Sequence, residues 1–188
     1  VVRQQMGEIS NTDMQSLTEA AFAFEDISGY SPEESLRAAN SLMNQFGLTA
    51  EESYNLMVQG QQQGLDFSGE LLDSINEYAP QFKKMGFSAE DMFNIFKNGA
   101  ESGAFNLDKI GDAVKENAIR VIDLSDSTNT AFASLGLDAE EMAAEFGAGG
   151  ETAEKAFQKV MVGLQAIEDP VKRNQIGTSL WGTMWEDL

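Results

Sequence analysis

The 188 residues carry 31 acids against 12 bases, a net charge of -19, with 42% apolar residues, no cysteine and no histidine. The missing residue types exclude disulfides, thiolate nucleophiles, imidazole bases and the usual zinc sites together. The charge repels phosphate, which argues against nucleic acid and anionic membranes as partners.

Only three prolines occur, and twelve phenylalanines and nine methionines recur at helical spacings, so the expected fold is all-α with about nine or ten short helices. Residues 4–36 carry seven acids and no base, residues 38–82 six and none, and residues 121–154 eight and none, whereas six of each sign balance between 83 and 120. Such runs ordinarily solvate exposed helix faces, and a basic partner is the sharper reading. The longest apolar run, residues 160–167, is interrupted by Gly163 and Gln165 and is too short to span a bilayer. No stable membrane insertion is therefore expected of this segment. No signal-peptide pattern opens the chain, and Val1 in place of an initiator methionine makes it read as an excised or processed fragment.

In chain order, residues 1–10 have weak periodicity and read as a frayed end. A first helix is expected from Thr12, with Gln15 as its capping-box partner and Met14, Leu17, Ala21 and Phe24 on its buried face. A second starts at Ser31, where Pro32 falls at the first helical position and Glu34 completes the box, and it carries Leu36, Ala39, Leu42, Met43 and Phe46. Gly47 fits its left-handed stop.

From Gly47 one pattern is written twice. Gly47, Ala50, Glu51, Asn55, Gly60, Gly64, Asp73, Glu77 and Ala79 recur 39 residues on as Gly86, Ala89, Glu90, Asn94, Gly99, Gly103, Asp112, Glu116 and Ala118. Each copy reads as helix, glycine-punctuated loop and helix, giving hairpins over residues 47–84 and 86–123. Thr49 with Glu52, and Ser88 with Asp91, have capping-box spacing, and Phe87 with Met92 can close a hydrophobic staple. Tyr54, Met57 and Val58 face Leu71, Leu72, Ile75, Tyr78 and Phe82, with Pro80 expected to kink or break that helix. In the second copy Met92, Phe93, Ile95 and Phe96 are followed by Leu107, Ile110, Val114 and Val121, and Glu116 pairs with Arg120 at i,i+4.

Residues 123–130 are rich in Asp, Ser, Thr and Asn and read as a linker or long turn. The resulting division is an N-terminal segment and first helix (1–26), a helical domain with the hairpin repeat (27–122), a linker (123–135) and a C-terminal helical subdomain (136–188). Within the last, Asp138 and Glu141 repeat the capping signature, residues 147–150 form a flexible break, and Phe157, Val160, Met161 and Leu164 mark a helix. Pro170 opens a final helix in which Ile176, Leu180, Trp181, Met184, Trp185 and Leu188 recur at helical spacing. That stripe either folds back onto the preceding helix or offers Trp181 and Trp185 for self-association.

Two motifs fail on inspection. The Gly147, Gly149, Gly150 cluster has Thr152 where a dinucleotide fingerprint needs its third glycine, and no strand precedes it. Residues 106–117 place Gly111 at the sixth position of a calcium loop but end on Asn117 rather than glutamate. No catalytic, cofactor-binding or metal-binding residue is expected, and no cofactor.

The strings GLDFSGELLDS (64–74), EYAPQF (77–82), AEDMFNI (89–95), SGAFNLDKIGDAVKE (102–116), LGLDAEEMAAEFGAGGETAEKAF (135–157) and LWGTMWEDL (180–188) closely resemble the core region of the phage tail tape measure protein family. The resemblance is collinear over residues 27–188. It implies a structural, non-enzymatic segment of a much longer helical protein in the tail-tube lumen of a phage or prophage, present in the host cytoplasm during assembly. That parent is implicated in tail-length determination, tail assembly and DNA ejection, with tail-tube protein, assembly chaperones and tail-tip proteins as partners. As one continuous helix 188 residues would span about 280 Å, and the many glycine breaks point instead to a compact module on the ruler. The alternatives are a peptidoglycan-degrading tail enzyme domain, which the missing His and Cys disfavour, and an acidic helical protein-binding module.

Overall fold

The computed structural model describes residues 11–187, with side chains over 14–186. The expectations for residues 1–10 and for the cap at Thr12 lie outside those bounds. Among the described residues there are ten α-helices, a terminal 3-10 helix and no strand. The helices are α1 (Asn11–Ser28), α2 (Pro32–Phe46), α3 (Ala50–Gln62), α4 (Leu71–Lys84), α5 (Ala89–Glu101), α6 (Leu107–Arg120), α7 (Asp126–Ser134), α8 (Ala139–Ala148), α9 (Gly150–Gln165) and α10 (Pro170–Trp181), followed by the 3-10 helix Gly182–Asp187.

The helix starts follow from side-chain caps. Ser31 accepts from the Glu34 amide at 3.3 Å while the Glu34 carboxylate accepts from the Ser31 amide at 3.0 Å. Thr49 with Glu52 closes the same box at 3.2 and 2.8 Å, and Ser88 with Asp91 at 3.0 and 2.9 Å. Asp138 caps α8 by accepting from the Glu141 amide at 2.9 Å, and Asn106 caps α6 by accepting from the Lys109 amide at 3.1 Å. Each such acceptor satisfies one of the otherwise orphaned first-turn donors. Gln15 donates its side-chain amide to Glu19 Oε1 at 2.8 Å.

The hairpins α3–α4 and α5–α6 share their burial pattern. Ser53, Tyr54, Met57 and Gly60 correspond, 39 residues on, to Met92, Phe93, Phe96 and the half-buried Gly99. Leu71, Leu72, Ser74, Ile75, Tyr78, Ala79 and Phe82 correspond to Ile110, Gly111, Ala113, Val114, Asn117, Ala118 and Val121, all buried. Helix α6 begins one turn earlier in this register, so its loop is shorter while the buried face is unchanged. The small residue is equivalent too: a Cβ on Gly60 would meet Phe93 and Leu71, and one on Gly99 would meet Ile110.

A third hairpin, α1–α2, precedes them with a spacing of 36. Leu17, Ala21 and Phe24 stand where Ser53, Met57 and Gly60 follow, and Ser35, Leu36, Ala38, Ala39 and Leu42 where Leu71, Leu72, Ser74, Ile75 and Tyr78 follow. The three stack side by side, with α4 between α2 and α6 in one layer and α3 between α1 and α5 in the other. Tyr78 donates to Asp112 at 3.0 Å and Ser74 to Asp108 at 3.4 Å, a constant sequence separation, so α4 and α6 run parallel. This is the geometry of a short solenoid, in which each unit buries its apolar face on its neighbours.

Helices α7 to α10 close the α6 end of the stack. α10 and the 3-10 helix lie on α6, α7 packs on α10, and α9 runs between α8 and α4. Buried side chains from Leu17 to Trp181 form one core cluster.

Three expectations need correction. The segment 123–135, read as a linker, holds α7: Ser125 accepts from the Thr128 amide at 3.3 Å, and Phe132 is fully buried. The Ser, Asp and Thr residues there are cap chemistry, and Thr128, Ala131 and Phe132 are the buried face that docks this helix of nine residues. Pro80 does not break α4, which continues to Lys84. Pro80 and Asn76, whose carbonyl loses its amide partner, are both exposed, so water can take that bond. The final helix ends at Trp181, not Leu188, because Gly182 turns the chain at φ 62° into the 3-10 helix; Leu188 lies outside the described residues.

Candidate protein-docking surfaces

The aromatic side chains of α4, α5, α9 and the C-terminus form a continuous path that ties the stack to its cap. Phe96 meets Phe82 edge-on at 5.4 Å between ring centroids, Phe82 meets Phe87 at 5.9 Å, and Phe87 meets Phe157 at 5.1 Å. Phe157 meets Trp181 at 6.3 Å and Trp181 meets Trp185 at 5.4 Å. Tilted and edge-to-face contacts of this kind add about 0.5–1.5 kcal/mol each beyond area burial.

Trp181 is only 4% exposed, so the expected apolar stripe is folded back into its own chain and is not offered as a bare helix face. Asn117, buried in α6, donates to the Leu180 carbonyl at 2.9 Å and fixes the end of α10. Trp185 is half-buried, lies on Gly177, where a Cβ would overlap its indole, and donates from Nε1 to Asn174 Oδ1 at 3.3 Å. Beside the tryptophans runs an apolar groove of about 310 Å³ walled by Ile95, Ile110, Val114, Phe157, Met161 and Trp185. Its polar atoms are few, supplied by Asn98 and Ser102, and they form no nucleophile–base pair.

A second surface is the edge where the hairpin loops emerge. The loop before α2 carries the half-buried Tyr30, the loop before α4 carries Phe67 at 50% exposure, and the loop before α6 carries Phe105 at 83%. Ile27, also on this edge, is 65% exposed. Tyr30 donates its hydroxyl to Asp66, whose carboxylate also accepts from the Leu71 amide at 3.3 Å and so starts α4. Burial, that hydrogen bond and the charges of Asp66, Asp73 and Glu34 hold the Tyr30 phenol far above its ordinary range. Burial, then Glu70, push Asp108 upward, with the Ser74 hydrogen bond opposing and Glu77 and Asp112 adding to the rise. The three loops thus share one acidic field.

The glycine cluster at 147–150 is a joint between helices. Gly149 ends α8 and begins α9, and Gly150 presents its carbonyl to the α4–α5 turn so closely that a Cβ on Gly86 would overlap it. Asn106 and Asn117, the ends of the calcium-loop spacing, are a helix cap and an internal anchor. Among the described residues no group of three or more His, Cys, Asp or Glu is placed to hold a metal, and no helix is long and apolar enough to cross a membrane.

The described helices pack through aromatic and small-residue contacts, and residues 2–182 match the phage-related minor tail protein family. The chain belongs to that family. A relative described as a probable tape measure protein, from Streptomyces phage phiC31, is 37% identical over 139 residues, which is 74% of this chain and 19% of the relative. The chain therefore spans about a fifth of that relative's length. The likeness to tape measure proteins carried by the strings quoted above holds at the level of the family. No solved structure matches.

The first hairpin of the stack is what the sequence reading missed. The signal available was burial periodicity: Leu17, Ala21 and Phe24 keep the spacing of Ser53, Met57 and Gly60, but no glycine is shared between them.

Proposed function

We propose that this chain is a folded, non-enzymatic module carried by a phage or prophage tail tape measure protein. Tail-length determination, tail assembly and DNA ejection belong, in this reading, to the longer parent. The module acts through protein contacts with tail-tube subunits, assembly chaperones or tail-tip proteins, in the tail lumen and, during assembly, in the host cytoplasm. The observation that carries the reading is the family match across residues 2–182 of a chain whose described residues form ten short helices on one core. Such a body contributes a compact lump to a ruler rather than extended length, since short helices on a shared core cannot add their rises end to end.

The test is in-frame removal of residues 11–187 from the parent gene, with tails in the lysate counted and measured by electron microscopy. The reading predicts few or malformed tails and loss of infectivity. Tails of unchanged number, length and infectivity would overturn it. Incubation of the 188-residue chain with purified peptidoglycan is expected to release nothing, and soluble muropeptides would overturn the non-enzymatic assignment.

A further inference from the structure

We propose that the loop edge of the hairpin stack, with Tyr30, Phe67 and Phe105 at its crest, is a docking surface for a single basic amphipathic helix whose apolar side chains recur every seven residues. The inference goes beyond the tail-module reading and stands on the surface alone.

The stack brings one aromatic from each hairpin to the same edge. Two of the three are exposed, at 50% for Phe67 and 83% for Phe105. The aromatics do not occupy identical repeat positions, but the equivalent hairpin loops bring them to one edge as neighbouring apolar contacts. The spacing of the row is set by helix packing: α2, α4 and α6 lie side by side, and packed helices stand about 8–10 Å apart. An α-helix advances about 10.5 Å in seven residues at 1.5 Å each. One helix laid across the loops would thus meet successive aromatics with side chains at i, i+7 and i+14.

Charge selects the sign of that helix. Asp66, Glu70, Asp73 and Asp108 line the starts of α4 and α6, Glu33 and Glu34 the start of α2, and Asp26 the end of α1. Residues 38–82, which supply the middle of the edge, contain no base at all. Lysine or arginine flanking the apolar positions would meet these carboxylates around an aromatic centre, the usual layout of an apolar core with a charged rim. An anionic membrane is repelled by the same field.

The experiment uses the 188-residue chain and a fluorescein-labelled peptide of about 21 residues, three heptads of lysine and alanine with leucine at every seventh position. Fluorescence anisotropy in moderate salt reads binding. The expected result is saturable binding that weakens about tenfold or more in Phe67→Ser/Phe105→Ser, with far-UV circular dichroism unchanged. A comparable loss is expected in Asp73→Lys, an exposed position that keeps the experiment decisive should the double variant fail to fold. Phe22→Ser/Val162→Ser, exposed elsewhere, should bind as the parent does. The same peptide with its leucines scattered around the helix is expected to bind about tenfold more weakly. Equal binding of the scattered peptide, or equal binding by both the double variant and Asp73→Lys, would overturn the proposal, leaving only bulk attraction to a chain of charge -19. So would sedimentation showing a dimer of the chain that Phe67→Ser/Phe105→Ser dissolves, or flotation with phosphatidylcholine vesicles that the same variant abolishes.

Discussion

Gly86 shows how much one backbone position can carry. It sits at φ 88° in the α4–α5 turn with the Gly150 carbonyl against its α-carbon, so it joins the hairpin stack to the start of α9. Gly47 has a similar φ of 73°, but nothing lies within 4 Å of where its Cβ would be. Gly47→Ala should therefore cost about 1–2 kcal/mol, the left-handed strain alone. Gly86→Ala should cost more, because a backbone carbonyl cannot turn aside as a side chain can. Urea denaturation of the two variants checks the order, and equal costs would mean that the Gly86–Gly150 approach is not made. Asp108 is a second case. Its carboxyl is raised by burial and by Glu70, so ionisation disfavours the folded state above the folded pKa, and that penalty disappears as pH falls below the ordinary aspartate range. Asp108→Asn keeps an acceptor for Ser74 and should raise the melting temperature at pH 7, with the advantage fading as the solution is acidified through the carboxylate range. A variant less stable at pH 7 would show that the ionised form is what α6 needs.

Among the elements, the helix starts are governed by a few oxygen atoms. Thr49→Ala and Ser88→Ala each remove the acceptor for a first-turn amide and the anchor of a box glutamate or aspartate. Each should cost about 1 kcal/mol in chemical denaturation, and changes below about 0.3 kcal/mol in both would mean the caps carry no weight. These caps were legible in the sequence because the box is a local pattern with a local cause. Helix α7 was not, since its Ser, Asp, Thr and Asn residues promote turns as readily as caps, and what decides for helix is the distant burial of Phe132. The first hairpin escaped for a related reason. Phe24 stands where the later copies have Gly60 and Gly99, so α1 fills with a ring the space that the others fill by close approach. The C-terminal stripe misled because Leu180, Trp181, Met184 and Trp185 keep helical spacing through Gly182 while the backbone turns there. The loop edge was not legible in the sequence, because its meaning depends on how the hairpins stack.

For the molecule as a whole, 19 excess negative charges sit on one body held by a single core. The ion pairs are mostly exposed, such as Lys155–Glu151 at 2.6 Å and Lys115–Glu77 at 3.3 Å, and pairs of this kind contribute little. Self-repulsion should therefore be felt, and salt screens it within about 8–10 Å. The melting temperature should rise from dilute buffer to moderate NaCl, and a flat or falling trend would show that the acids are compensated locally. The central claim is that three equivalent hairpins stack with α4 in the middle, covered by α2, α6 and α9. Residue-resolved native-state hydrogen exchange tests it most directly. The account predicts that the amides of residues 75–79 in α4 are among the slowest, opening only with global unfolding, and that α1 and α2 are protected as parts of the same structure. Fast exchange throughout α1 and α2, or faster exchange in the middle of α4 than in α7 and α8, would contradict it.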